Sequence, residues 1–190
     1  MRDNLRVWAS ATVAGVLLLA VLHACGGDDT GTALPSSSPP QDFVPEADDF
    51  ANIHTMTKVR GFYVDNRLGH LDEALAVANS PDGGTYPVGT IIQLVPQEAM
   101  VKRRAGFSPA TRDWEFFFLD VSPEGTVIEV RGTDEVVNRF GGNCASCHSA
   151  AEPQFDMVCE DDHGCDPLPI GDDVILAVQE ADPRPLEPAP

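Results

Sequence analysis

Residues 143–148 read Asn-Cys-Ala-Ser-Cys-His, and the Cys-x-x-Cys-His within them limits the rest of the chain more than any other feature. Two thiols three positions apart lie on one turn of a helix, so each can add across one vinyl group of the same porphyrin. The histidine that follows then lies under the ring, where an imidazole nitrogen can bind the iron. The motif is the attachment signature of a c-type haem, one covalent group per chain, held by Cys144, Cys147 and His148 with His148 on the metal. Two other chemistries share the spacing. Cys144 and Cys147 together with Cys159 and Cys165 make four thiolates for a structural zinc ion. A redox-active dithiol also uses Cys-x-x-Cys, but its usual βαβ surroundings are not found here.

Attachment of a c-type haem requires an exported chain, and the N-terminus reads as an export signal. Arg2 and Arg6 form a basic start, and residues 8–22 are an apolar run of Ala, Val and Leu. That run is too short and wrongly flanked for a stable membrane span. The sequence Leu22-His23-Ala24-Cys25-Gly26 looks like a bacterial lipoprotein signal, which makes residues 1–24 a cleaved leader and Cys25 the acylated residue. An ordinary secretory leader with an incidental cysteine is the other reading. Gly26 and Gly27 after the cysteine resemble lipoproteins sorted to the outer membrane. The expected location is therefore the cell envelope, lipid-anchored on the periplasmic face, with the membrane touched only through the anchor.

Export also accounts for the five cysteines. Cys25 takes lipid, Cys144 and Cys147 take haem, and Cys159 and Cys165 are left as a pair in an oxidising compartment, where a disulfide is the default. The segment they bound, Cys-Glu-Asp-Asp-His-Gly-Cys, is either a loop closed by that disulfide or a carboxylate and His163 site for a cation. The formal charge of -18 argues against nucleic acid and anionic head groups as partners. It suits a basic redox partner, and equally it keeps an exported protein soluble.

Residues 25–45 are rich in Gly, Ser, Pro and Asp and read as a flexible tether. Residues 46–180 hold the folded domain, and the Pro-rich 181–190 is expected to be disordered. Within the domain, residues 46–60 carry apolar residues at a roughly helical spacing and predict an amphipathic helix containing Lys58. Residues 62–64 read as extended, and 71–79 as a helix stopped by Ser80-Pro81-Asp82-Gly83-Gly84. Residues 90–95 are β-branched and predict a strand, and 97–106 a helical turn or irregular edge. The aromatic run 113–121 is a strand with Trp114, Phe116 and Phe118 on one face and Glu115, Phe117 and Leu119 on the other. It would pair antiparallel with 126–131 across a turn at 122–125. Residues 135–140 suggest a helical turn leading to the motif. The sum is an α+β domain: a curved antiparallel β-sheet, N-terminal helices and a short C-terminal haem-bearing helix.

Four pieces occur in a telling order: Tyr86-Pro87-Val88-Gly89-Thr90-Ile91-Ile92, Trp114-Glu115-Phe116-Phe117, the residues 141–148, and Phe155-Asp156-Met157-Val158. In that order they resemble the cytochrome P-460 family, which includes the c′-beta cytochromes, over residues 82–158. The resemblance implies a monohaem domain on a curved antiparallel sheet, often dimeric, with five-coordinate haem and His148 proximal. The family divides. Enzymatic members carry a lysine bonded to the haem edge and oxidise hydroxylamine, whereas c′-beta members have a Phe-lined distal pocket that binds nitric oxide or carbon monoxide.

This division directs attention to Lys58 and Lys102, the only lysines in the chain. Neither stands visibly in a strand facing a pocket, and both read most simply as surface lysines. Phe116 and Phe118 are the distal candidates, set against an ordinary core role. Met100 and Met157 are candidate sixth ligands, Met157 reading more simply as core. Glu115 and Glu129 are candidate acid/base groups for a catalytic pocket, while His54 and His70 read as surface or core residues. The sequence thus favours a haem protein that binds a small ligand such as nitric oxide or passes electrons to a partner protein. The alternatives are a hydroxylamine- or nitric-oxide-converting oxidoreductase and a zinc-binding structural protein.

Overall fold

The computed structural model describes residues 41–139 and 141–186; the leader, Cys25 and most of the tether lie outside the described residues. Six strands form one antiparallel sheet in simple sequential order. They are β1 (Thr57–Val59), β2 (Phe62–Asn66), β3 (Thr90–Gln93), β4 (Glu98–Lys102), β5 (Trp114–Ser122) and β6 (Gly125–Gly132). Helix α1 (Leu71–Ala78) is inserted between β2 and β3, and α2 (Cys144–His148) and α3 (Asp172–Glu180) follow the sheet. The sheet does not close into a barrel, and the fold is α+β as expected. Among the described residues, no helix is long and apolar enough to cross a membrane.

Strand alternation divides the interior into two cores, one on each face. Val64, Ile92, Met100 and Phe116 are direct cross-strand partners in turn. With Trp114, Val136, Cys144 and Met157 they belong to the first core. The intervening residues Ile91, Ala99, Val101, Phe117 and Leu119 form the second core with Phe50. Side chains one residue apart on a strand point to opposite faces. The aromatic run therefore supplies both cores, with Trp114 and Phe116 on one side and Phe117 and Leu119 on the other, as its alternation predicts.

Several local expectations are corrected. Residues 46–60 form two 3-10 turns, Ala47–Asp49 and Ile53–Thr55, before β1, and not a helix. Phe50 belongs to the second core and Val59 to the first, which a single helical stripe cannot serve. The Asn52 side chain also accepts from the His54 amide at 2.9 Å, a local turn that competes with the helical ladder. Residues 98–102 are an interior strand paired on both sides, not an edge or a helical turn. Residues 135–139 form no helical turn: a bend at Glu135 leads to an isolated bridge from Val137 to Asn143 and a turn at Asn138 and Arg139. Helix α3 was not foreseen at all; it buries only Ile175 and Gln179, so its apolar signal is thin.

Both boundaries of the domain move outward. Asp42 pairs with the Arg103 guanidinium at 2.9 Å, so part of the expected tether belongs to the fold. The tail is packed at least to Arg184, which is 4% exposed. Arg184 donates to the Phe50 carbonyl at 2.8 Å, and its own carbonyl accepts from Asn52 at 2.6 Å. Residues 181–186 are thus not the disordered segment that their proline content suggested.

Candidate functional site

The motif begins at a well-built helix start. Asn143 caps α2 by accepting from the Ser146 amide at 2.9 Å and donates from its Nδ2 to the Asp134 carbonyl at 2.6 Å. The Cys144 amide donates to the Val136 carbonyl at 3.0 Å, which ties the helix to the segment leaving β6. Cys144 and Cys147 are free thiols; Cys144 is buried and Cys147 exposed. Burial pushes the Cys144 thiol up to about 11, so it stays protonated.

Both cysteines and His148 line a cavity of about 900 Å³. That lies near the top of the range for cofactor sites, about 300–1,000 Å³. Phe62, Ile92, Met100 and Phe116 contribute an apolar wall from the sheet, extended by Leu94 and Ile175, while Lys58, Arg60 and a set of carboxylates make the rest of the lining charged. The Nδ1 of His148 is 2.7 Å from the Met157 carbonyl. A carbonyl only accepts, so Nδ1 carries the hydrogen and Nε2 holds the lone pair of the neutral ring. Loss of hydration lowers the His148 pKa, which keeps the ring neutral. Two free thiols one turn apart, a neutral imidazole with Nε2 available and a cavity of this size with an apolar sheet wall together fit a covalently held haem.

The other candidate residues separate sharply. Phe116 borders the cavity, and its ring centroid is 5.2 Å from that of His148. It therefore stands beside the histidine and not across a macrocycle from it. Phe118 packs against the first core but lies outside this cavity. Met100 lines the cavity, whereas Met157 is core and serves His148 through its carbonyl.

Lys58 stands in β1 and lines the cavity, its Nζ 3.2 Å from Gln179 Oε1 and 5.3 Å from the Tyr63 ring centroid. Lys102 is no surface lysine. It is 5% exposed and its Nζ lies 2.7 and 2.8 Å from the two Asp156 carboxylate oxygens, away from the cavity.

Neither proposed acid/base carboxylate reaches the cavity. Glu115 is buried on the opposite face in ion pairs with Arg103 and Arg131, and Glu129 borders a separate shallow recess. Glu160, Asp161, Asp162, Asp166 and Asp172 from the later segment do line the cavity, as does Glu98, its pKa raised by burial. Sequence reasoning missed it because strand β4 was missed; the alternation of Glu98, Met100 and Lys102 would have revealed it.

Cys159 and Cys165 form a disulfide. It uses two of the thiols that a four-cysteine zinc site requires, and among the described residues no group of three His, Cys, Asp or Glu could hold a metal ion. His163, inside the closed loop, stacks on Phe155 with centroids 3.6 Å apart, its Nδ1 2.7 Å from the Val158 carbonyl. The loop thus packs as a structural unit on the cavity wall. Arg60 straps it to the β1–β2 turn, with Nε 2.6 Å from Glu160 Oε2. His54, partly exposed, spans Gln179 and Tyr63, while His70 lies at the exposed start of α1 beside Glu73. No protein-family model, curated protein or solved structure matches this chain.

Proposed function

We propose that this chain is an exported, lipid-anchored c-type monohaem cytochrome of the P-460/c′-beta kind that binds a small ligand such as nitric oxide or passes single electrons. The observation that carries the reading is the shared cavity: both motif thiols and His148 line one chamber of about 900 Å³ whose sheet-side wall is apolar. Cys144 and Cys147 form the thioether bonds, and His148 offers Nε2 to the iron. Haem supplies a metal that binds a diatomic ligand or takes up one electron. The chain's own contribution is to keep His148 neutral, hold its tautomer through Met157, and line the chamber with Phe116, Met100, Ile92 and Leu94. Cys25 anchors the protein to the envelope, and the acidic surface favours a basic redox partner.

The test is an absorption spectrum of protein made alongside c-type maturation machinery. A Soret band that survives acid–acetone extraction and shifts when carbon monoxide meets the ferrous form is expected. Absence of covalent haem overturns the reading.

One observation supports a second reading, the hydroxylamine- or nitric-oxide-converting enzyme. Lys58 borders the cavity, so it is the lysine available for a third covalent link to haem, and Lys102 is not. Mass spectrometry of the haem peptides separates the two readings. Two thioethers alone support the ligand-binding cytochrome, and a third link to Lys58 supports the enzyme.

A further inference from the structure

Asp156 and Met157 have φ values of 52° and 68°. Two successive non-glycine residues in the left-handed region are strained and persist only where the surroundings enforce them. Here the surroundings do so through Asp156. Its carboxylate accepts from the Lys102 ammonium at 2.7 and 2.8 Å and from the Tyr86 amide at 2.9 Å. Its carbonyl accepts from Trp114 Nε1 at 2.7 Å. Lys102 and Trp114 are direct partners across β4 and β5, so one rung of the sheet grips both ends of this residue. The next residue is Met157, whose carbonyl takes the His148 Nδ1 hydrogen at 2.7 Å.

A buried ion pair is weak evidence of stabilisation, because losing hydration offsets much of the attraction. Neither Lys102 nor Asp156 lines the cavity. Yet the polar groups of Asp156 converge on the one stretch of backbone that orients the histidine. We propose that the Lys102–Asp156 pair, with Trp114, is a positioning device for His148: it fixes the Met157 carbonyl and so selects the imidazole tautomer and aims the Nε2 lone pair into the cavity. Its consequence for iron rests on the reading of His148 as the axial ligand; its effect on the tautomer does not. A hydrogen-bonded Nδ1 makes Nε2 more basic, so the pair also tunes the strength of the iron–histidine bond.

The experiment compares the full chain with Lys102→Met/Asp156→Leu, which replaces the pair by apolar groups. Asp156→Asn, the milder change, is read if the double variant does not fold. Nitrogen-15 NMR of the histidine rings in the haem-free protein reports the His148 tautomer. Resonance Raman and the midpoint potential of the haem-loaded protein report the iron–histidine bond. The unaltered chain is expected to hold His148 in the Nδ1–H form. In the folded variant the population moves toward Nε2–H, the iron–histidine stretch falls and the potential rises, while Lys102→Arg keeps all three near the original. A folded variant with unchanged tautomer overturns the proposal. If the unaltered chain takes up no haem, the functional reading fails while the tautomer measurement still decides this one.

Discussion

Lys102 and Arg103 are neighbours in sequence, yet the end of β4 sends them to opposite faces of the sheet, where their partners differ in kind. On the cavity face Lys102 meets one carboxylate, Asp156, inside a strained turn. On the other face Arg103 joins Asp42 and Glu115, and Arg131 closes on Glu115 from the neighbouring strand. The second cluster links strands to the entering chain and sits over the core of Phe117, Leu119 and Phe50. Burial weakens the charged form of both members of the first pair, raising the Asp156 pKa and lowering that of Lys102. One face thus packs the second core and ties down the entering chain, and the other borders the cavity that His148 lines.

That contrast can be broken first at the aromatic strand. Phe117→Ala, which empties the second core, is expected to cost about 3–5 kcal/mol and to shift the haem spectrum little beside Phe116→Ala, although both residues border the cavity. Phe116→Ala should cost less, because Phe116 fronts the cavity beside His148, but should shift the Soret band and carbon monoxide affinity. Denaturant unfolding and ligand titration check the pair. Glu115→Ala leaves Arg103 buried without its strand partner, and a loss of about 3–5 kcal/mol is expected, here without spectral change. Removing the Cys159–Cys165 disulfide, which closes a loop on the cavity wall, should cost about 2 kcal/mol on the loop-entropy argument. Thermal unfolding of Cys159→Ser/Cys165→Ser measures it.

The smallest effect concerns Glu98, whose raised pKa means that the native state holds a proton more firmly than the unfolded chain does. Its burial therefore costs stability that builds up as the pH rises from the ordinary carboxyl value to the native pKa, is complete above the native pKa, and disappears below the ordinary value. Glu98→Gln should unfold at a higher temperature than the unaltered chain near pH 7 and match it near pH 4. Equal melting temperatures at both pH values would show that Glu98 is solvated and that this cavity wall is open.

Much of this contrast was legible in the sequence because alternation is a local property. The aromatic run 113–121 announced its two faces, and the pairing with 126–131 followed from the turn between them. The helix 71–78 and the Cys159–Cys165 pairing were equally local. The missed parts depend on partners far away in the chain. Residues 98–102 carry Glu and Lys at positions that become interior only because β3 and β5 flank them. Lys102 read as a surface residue because its counter-ion is Asp156, beyond the motif. The turns at 47–55 mimic a helical spacing, but their apolar residues belong to different cores. At the site, the thiols and His148 were plain from spacing alone, while Phe118, Glu115 and Glu129 were placed by strand membership without knowing where the cavity opened.

The contacts between Arg184 and residues 50–52 have a bearing on the order of events during synthesis. They join groups separated by 132 and 134 positions, near the two ends of the domain, and Asp182 adds an acceptor for the Ile53 amide at 2.9 Å. Contacts of such high sequence separation form late, after the long loop between them has closed. Residues 182–184 act as a clasp, so a chain from which they are missing cannot fasten residues 50–53. Under the export and haem attachment proposed above, a latch that closes last leaves time for both steps.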